Sequence, residues 1–243
     1  MKVQYTYINA TKAEKIIIDS IVSYIEEKYS DKLNWSNLKY IEVVDRIEHD
    51  VSGTALSDRI ILSRSWELGK IYCDCTSNKI HTDDTNYKLL FCTIYHELWH
   101  NSTNDSFEYM YEYMKNCKDG DIFVAYSYFY WTEYVALSNT VFTEIPRIPE
   151  IMNAFCEDFV RTDWHKIAYG YSSCVKAMPY YLTRSRCLKR YRYLTKQVKK
   201  RELRKMIHEF DRTSRKLIKN KKMDEVEKAQ RIERIIRKYL LSE

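Results

Sequence analysis

Glycine and proline are scarce, four and three in 243 residues. Few tight turns and few breaks follow, so long elements with helix predominating are expected. No uninterrupted apolar run approaches the roughly 20 residues that a membrane-spanning helix needs. The opening residues Met1-Lys2-Val3-Gln4-Tyr5-Thr6 lack the apolar core of a signal peptide. These absences set the expectation of a cytoplasmic protein with no membrane partner. The seven cysteines are an odd number without a repeating spacing, which argues against a disulfide framework and for reduced, mostly buried thiols. Cys73-Asp74-Cys75 has the form of half a metal site, but no second half stands at the spacing of a zinc ribbon.

Charge is present in both signs but unevenly placed. Residues 184–243 carry 22 Lys plus Arg against 8 Asp plus Glu, a balance of +14, and residues 1–183 carry 18 against 26, or −8. The overall +6 therefore hides an acidic body and a basic tail. The expected organisation is a domain over 1–183 followed by a basic helical extension over 184–243. In that extension Leu194, Val198, Leu203, Met206, Ile207 and Phe210 recur at helical spacing, with a break near Lys219 to Met223 and a last helix beyond it. A cationic run on a helix is ordinarily a solvated face; the alternative is a surface for nucleic acid or an acidic partner.

One stretch concentrates chemistry: His96-Glu97-Leu98-Trp99-His100, at the end of the apolar run from Leu89 to Tyr95. On a helix the two histidines stand one turn apart on one face, and Glu97 projects about 100° around the axis from His96. Zn²⁺ takes imidazole nitrogens, and one rigid helix supplies both; the glutamate is placed to act on a water held by the ion, as general base. Asp83, Asp84 and Thr85 offer start chemistry for a helix reaching to about Asn101, where Asn101-Ser102-Thr103-Asn104-Asp105-Ser106 favours turns. The bland alternative is an amphipathic helix whose histidines are solvated or packed.

A second long apolar segment spans Ile122 to about Phe142 and holds one acidic residue before its last turn, Glu133. A carboxylate among Tyr126, Phe129, Tyr130, Trp131 and Val135 is costly to bury unless it is paired or metal-bound, so Glu133 is the expected third ligand. A solvated stripe with Ser127 and Ser138, or pairing with a base, is the competing reading.

The remaining elements frame this pair. Thr11-Lys12-Ala13-Glu14 has the form of a capping box before an apolar helix reaching about Tyr29. Tyr40–Val44 and Arg59–Ser63 read as strands; His49-Asp50 and Ser52-Gly53 read as loop. A strand just before the metal helix matters, because an extended peptide can pair with a free sheet edge. Ile145-Pro146-Arg147-Ile148-Pro149 breaks the chain, a helix follows from Glu150 to about Ile167, and Gly170 and Pro179 punctuate what comes next. The fold class expected is α+β, mostly helical, with a small sheet.

The residues after His100 sort the zinc-site types. Thr103 and Ser106 stand where a metzincin has its glycine and third ligand. The Glu-Gly-Cys-Leu context of a peptide deformylase is absent. Two histidines on one helix and a glutamate on the next long one resemble the gluzincins, and within them the small intracellular ImmA/IrrE-like metallopeptidases. The likeness covers about Leu56 to Phe142. It departs from that family in having Ala136-Leu137 where an Ala-Asn pair is usual, and from thermolysin-like enzymes in having Leu137 in place of an acidic residue. The resemblance implies a zincin-like core in which His96, His100 and Glu133 hold Zn²⁺ with an open fourth position and Glu97 takes a proton during attack on a peptide bond of a protein substrate. It also implies an oxyanion donor, with Tyr130, His165, Tyr169 and Tyr171 as candidates. Two other readings compete. In one, a non-enzymatic binding protein acts through residues 184–243; in the other, the metal-bound fold is only structural.

Overall fold

A computed structural model describes residues 3–48, 51–116, 121–140, 148–164, 166 and 170–241, the side chains of 104–116 and 171 excepted. It is an α+β structure in which helix predominates, and it divides into two units, residues 1–105 and 106–243. Among the described residues no helix is long and apolar enough to cross a membrane.

The first unit is built on a four-stranded sheet. Its strands are β1 (Thr6–Ile8), β2 (Tyr40–Val44), β3 (Gly53–Ala55) and β4 (Arg59–Ser63), in the order β1-β2-β4-β3. β1, β2 and β4 run parallel, and β3 returns antiparallel to β4 at the edge. β2 and β4 pair Ile41 with Ile60 and Val43 with Leu62, all four fully buried, while their neighbours along each strand are more open except at Ser63. That alternation is the period of a strand with one face in the core. Helix α1 (Lys12–Tyr29) starts on the expected capping box, with Thr11 and Glu14 each accepting the other's backbone N–H, and buries Ile17, Ile18, Ile21, Val22 and Ile25. A small hairpin of β5 (Cys73–Asp74) and β6 (Lys79–Ile80) lies within the stretch read as irregular. Cys73, Cys75, Cys156, Cys174 and Cys187 are free thiols.

Helix α2 (Thr85–Asn116) does not stop at Asn101. The turn-forming side chains there have other partners: Asn101 donates its amide to the carbonyls of Leu56 and Ser57, and Thr103 donates its hydroxyl back to the Trp99 carbonyl. With those groups engaged, the Asn101 and Thr103 side chains do not draw the backbone into a turn.

The second unit holds α3 (Ile122–Asn139), α4 (Ile148–Arg161), α5 (Gly170–Cys187), α6 (Tyr191–Gln197), α7 (Arg201–Lys219) and α8 (Glu225–Leu240). Asp121 caps α3, accepting the Phe123 N–H at 3.0 Å. Of the expected break at 145–149, residues 145–147 lie outside the described residues, and Pro149 sits in the first turn of α4, where its missing N–H costs nothing. Pro179 lies inside α5 and does not end it. An internal proline costs about 3 kcal/mol, and the full burial of Cys174, Val175, Met178, Tyr181 and Leu182 on the same helix offsets it.

The shift in composition at 183/184 is not a break in packing. Helix α5 runs through it, and Leu194, Phe210 and Ile232 of the basic segment share one core with Trp131, Phe159 and Tyr181. Most lysines and arginines of α7 and α8 lie on the outward faces, Lys228 being buried, while Leu203, Met206, Ile207, Phe210, Ile232 and Ile236 are buried in the core.

Candidate metal centre

Helix α2 begins where its carboxylates allow. Asp84 accepts the Asn86 N–H at 2.6 Å, satisfying an otherwise orphaned donor of the first turn. Leu90, Phe91, Ile94, Tyr95 and Leu98 are buried and fix the roll of the helix. That roll brings His96 and His100, both half-buried, edge to face, with their Nε2 atoms 3.0 Å apart. The two nitrogens share a hydrogen bond at that distance, and in their neutral forms both imidazoles are of the kind that ligates one metal ion.

Beside that row lies a second one, at Thr93, Glu97 and Asn101, four residues apart and therefore on one face. All three meet β3 or the turn after it. Ser52 shares a hydrogen bond with Thr93 at 3.2 Å. Asn101 reaches Leu56 and Ser57, and Asn37 donates to the Asn101 carbonyl at 3.2 Å. Glu97, 8% exposed, lies between them beneath Gly53, where an added Cβ would fall 2.8 Å from Thr93 Cγ2 and 3.1 Å from Glu97 Cγ. Gly53, read from the sequence as loop, is thus the first residue of the edge strand. The small side chains of Gly53-Thr54-Ala55 hide the strand signal and permit the close approach. His49 and Asp50 lie outside the described residues.

Glu133 sits on α3, half-buried, between the fully buried Trp131 and the buried Tyr134. Tyr180 on α5 donates its hydroxyl to Glu133 Oε2 at 2.6 Å. His96 and His100 belong to the first unit and Glu133 to the second; among the described residues, no group of three or more His, Cys, Asp or Glu side chains within either unit gathers closely enough to hold a metal. Cys73 and Cys75 belong to no such group. Two imidazoles one turn apart on a helix are half of a donor set that Zn²⁺ takes.

Of the oxyanion candidates, Tyr130 is fully buried, shares a hydrogen bond with Ser214 at 2.8 Å, and is pushed well above the usual tyrosine range first by burial and then by Tyr134. It is a core residue. His165 and Tyr169 lie outside the described residues, as does the side chain of Tyr171. Tyr180 is the residue that the sequence reading passes over. It is 47 positions from Glu133, among 22 tyrosines, and no spacing ties the two together.

No family model matches the chain, and neither a curated protein nor a solved structure does.

Proposed function

We propose that this chain is a zinc-dependent metallopeptidase that hydrolyses a peptide bond in a protein substrate. The observation that carries the proposal is the pair His96 and His100 on one face of α2, with Nε2 atoms 3.0 Å apart and Glu97 on the neighbouring row; Glu133 is the third ligand in this proposal. Bound there, Zn²⁺ supplies Lewis acidity toward a carbonyl and makes water more acidic. Glu97, one position on from His96 and held beneath β3, receives the proton of the attacking water and returns it to the leaving amine. Strand β3 pairs with β4 on one side and ends the sheet order on the other, so its outer edge can take an extended peptide by backbone hydrogen bonds. Gly53 sets the distance between that edge and Glu97. A cytoplasmic address accords with this reading through the free thiols.

Metal content tests the proposal first. Wild type is expected to hold about one zinc per chain, the stoichiometry of a single three-ligand site, and His96→Ala and Glu133→Ala to lose it. Glu97→Gln is expected to keep the zinc and lose peptidase activity by about 10²–10⁴-fold. A wild type that takes no added zinc, or a Glu97→Gln variant with unchanged activity, refutes the assignment.

A second reading has its own observation. On α7, Arg201, Arg212, Lys216 and Lys219 are exposed and make no salt bridge among the described residues. In this alternative the protein is a non-enzymatic binder of nucleic acid or an acidic partner, and its affinity falls steeply with salt.

A further inference from the structure

Tyr180 donates to Glu133 Oε2 at 2.6 Å, the length of a charge-assisted O–H···O bond. The phenol is itself held in place. Its ring centroid is 6.3 Å from that of Phe155 on α4. Arg184, one turn further along α5, sets its guanidinium carbon 5.2 Å from the Tyr180 ring centroid and 4.6 Å from the Phe155 ring centroid. A cation over an aromatic ring draws on its π-density, and in a phenol this strengthens the O–H as a donor. Arg184, Tyr180 and Glu133 therefore form a chain of contacts ending on a carboxylate, built on three packed helices.

We infer that Tyr180 is the positioning residue of the metal centre, a role that rests on the metallopeptidase reading above. Its hydroxyl fixes the plane of the Glu133 carboxylate. By drawing charge from Oε2 it makes Oε1 the stronger donor, so that Glu133 offers one oxygen to the ion. Arg184 acts through Tyr180 by raising the strength of that hydrogen bond. Partners of this kind around a ligand typically govern metal affinity by 10- to 100-fold.

The test uses the full chain. Zinc affinity is measured by competition with a chromophoric chelator for wild type, Tyr180→Phe and Arg184→Met, and the visible spectrum of each Co²⁺-loaded protein is recorded. Tyr180→Phe keeps the ring under Arg184 and removes only the hydroxyl. It is expected to bind zinc about 10- to 100-fold more weakly and to show a weaker cobalt d–d band, as the carboxylate turns bidentate and the coordination number rises. Arg184→Met is expected to shift both readouts in the same direction and by less. A folded Tyr180→Phe with wild-type affinity and spectrum overturns the role of Tyr180 and leaves the metal site standing. A wild type that binds no zinc overturns the metallopeptidase reading, and this inference with it. Should Tyr180→Phe fail to fold, X-ray absorption at the zinc edge of wild type decides. A single carboxylate oxygen supports the inference, and a bidentate carboxylate overturns it.

Discussion

A methyl group added at Gly53 would stand 3.1 Å from Cγ of Glu97 and 2.8 Å from Cγ2 of Thr93, so the edge strand lies on the row of α2 that carries the proposed base. Thr93 is β-branched and has little rotamer freedom with which to yield. Gly53→Ala must therefore move β3 or Thr93, and Glu97 with it, whereas His96 and His100 stand on the neighbouring row. We expect Gly53→Ala to retain zinc, to lose about 1–3 kcal/mol of stability from overpacking, and to lose more peptidase activity than stability alone explains. Thr93→Ser removes the crowding methyl but keeps the hydroxyl that bonds Ser52, so the double variant Gly53→Ala/Thr93→Ser should recover most of both. Thermal unfolding and turnover of the three proteins check this; a double variant no better than Gly53→Ala alone would show that the contact is not the cause.

Where local pattern and tertiary structure agree, the chain could be read in advance. Tyr40–Val44 and Arg59–Ser63 alternate because one face of each is core, and Thr11 with Glu14 signals a helix start through groups only three residues apart. The histidine pair belongs to the same class, since its spacing and the helix pitch are both local. What was illegible depends on distant partners. Gly53-Thr54-Ala55 is a strand only because β4 pairs with it. Asn101 looks like a helix end and is instead a strut to Leu56 and Ser57. The bond from Tyr180 to Glu133 is of this kind, because nothing near Tyr180 in sequence marks which carboxylate it meets.

The ion pair between Glu14 and Arg64 gives the protein a pH dependence of known sign. Glu14 is 8% exposed, and Arg64 Nε lies 2.6 Å from its Oε1. Burial alone would raise the Glu14 pKa; the hydrogen bonds from Arg64 and the Thr11 N–H outweigh it and hold the carboxyl below its ordinary 4.5. A carboxylate with a depressed folded pKa contributes stability that is complete above the unfolded value and is lost as pH falls through the folded one. Glu14→Gln keeps a capping-box acceptor but removes the charge. The variant should be less stable than wild type by about 1–2 kcal/mol at neutral pH, and the gap should close as pH falls below 4.5 toward the depressed value. Urea unfolding at about pH 7 and about pH 3 reads this directly. An equal gap at both would assign the loss to packing, not to charge.

Asn101 supplies the last prediction, because it joins the end of the motif to the strand above it. Its amide nitrogen reaches the Leu56 and Ser57 carbonyls at 2.9 and 3.2 Å, its own carbonyl accepts from Asn37 at 3.2 Å, and it is 1% exposed. Both side-chain bonds use N–H donors, so the sign of a substitution depends on whether a donor remains. Asn101→Leu fills the space but leaves the two carbonyls without this donor, at about 1–3 kcal/mol. Asn101→Asp keeps the shape and sets a carboxylate against those carbonyls, which should cost more. The stability order expected is wild type, then Leu, then Asp, measured by denaturant unfolding. Because the turn at 56 and 57 follows β3 directly, both variants should also loosen β3 over Glu97, lowering turnover while zinc stays bound. If the Asp and Leu variants are equally stable, the amide is not the strut, and the register of β3 on α2 must be set by Gly53 and Thr93 alone.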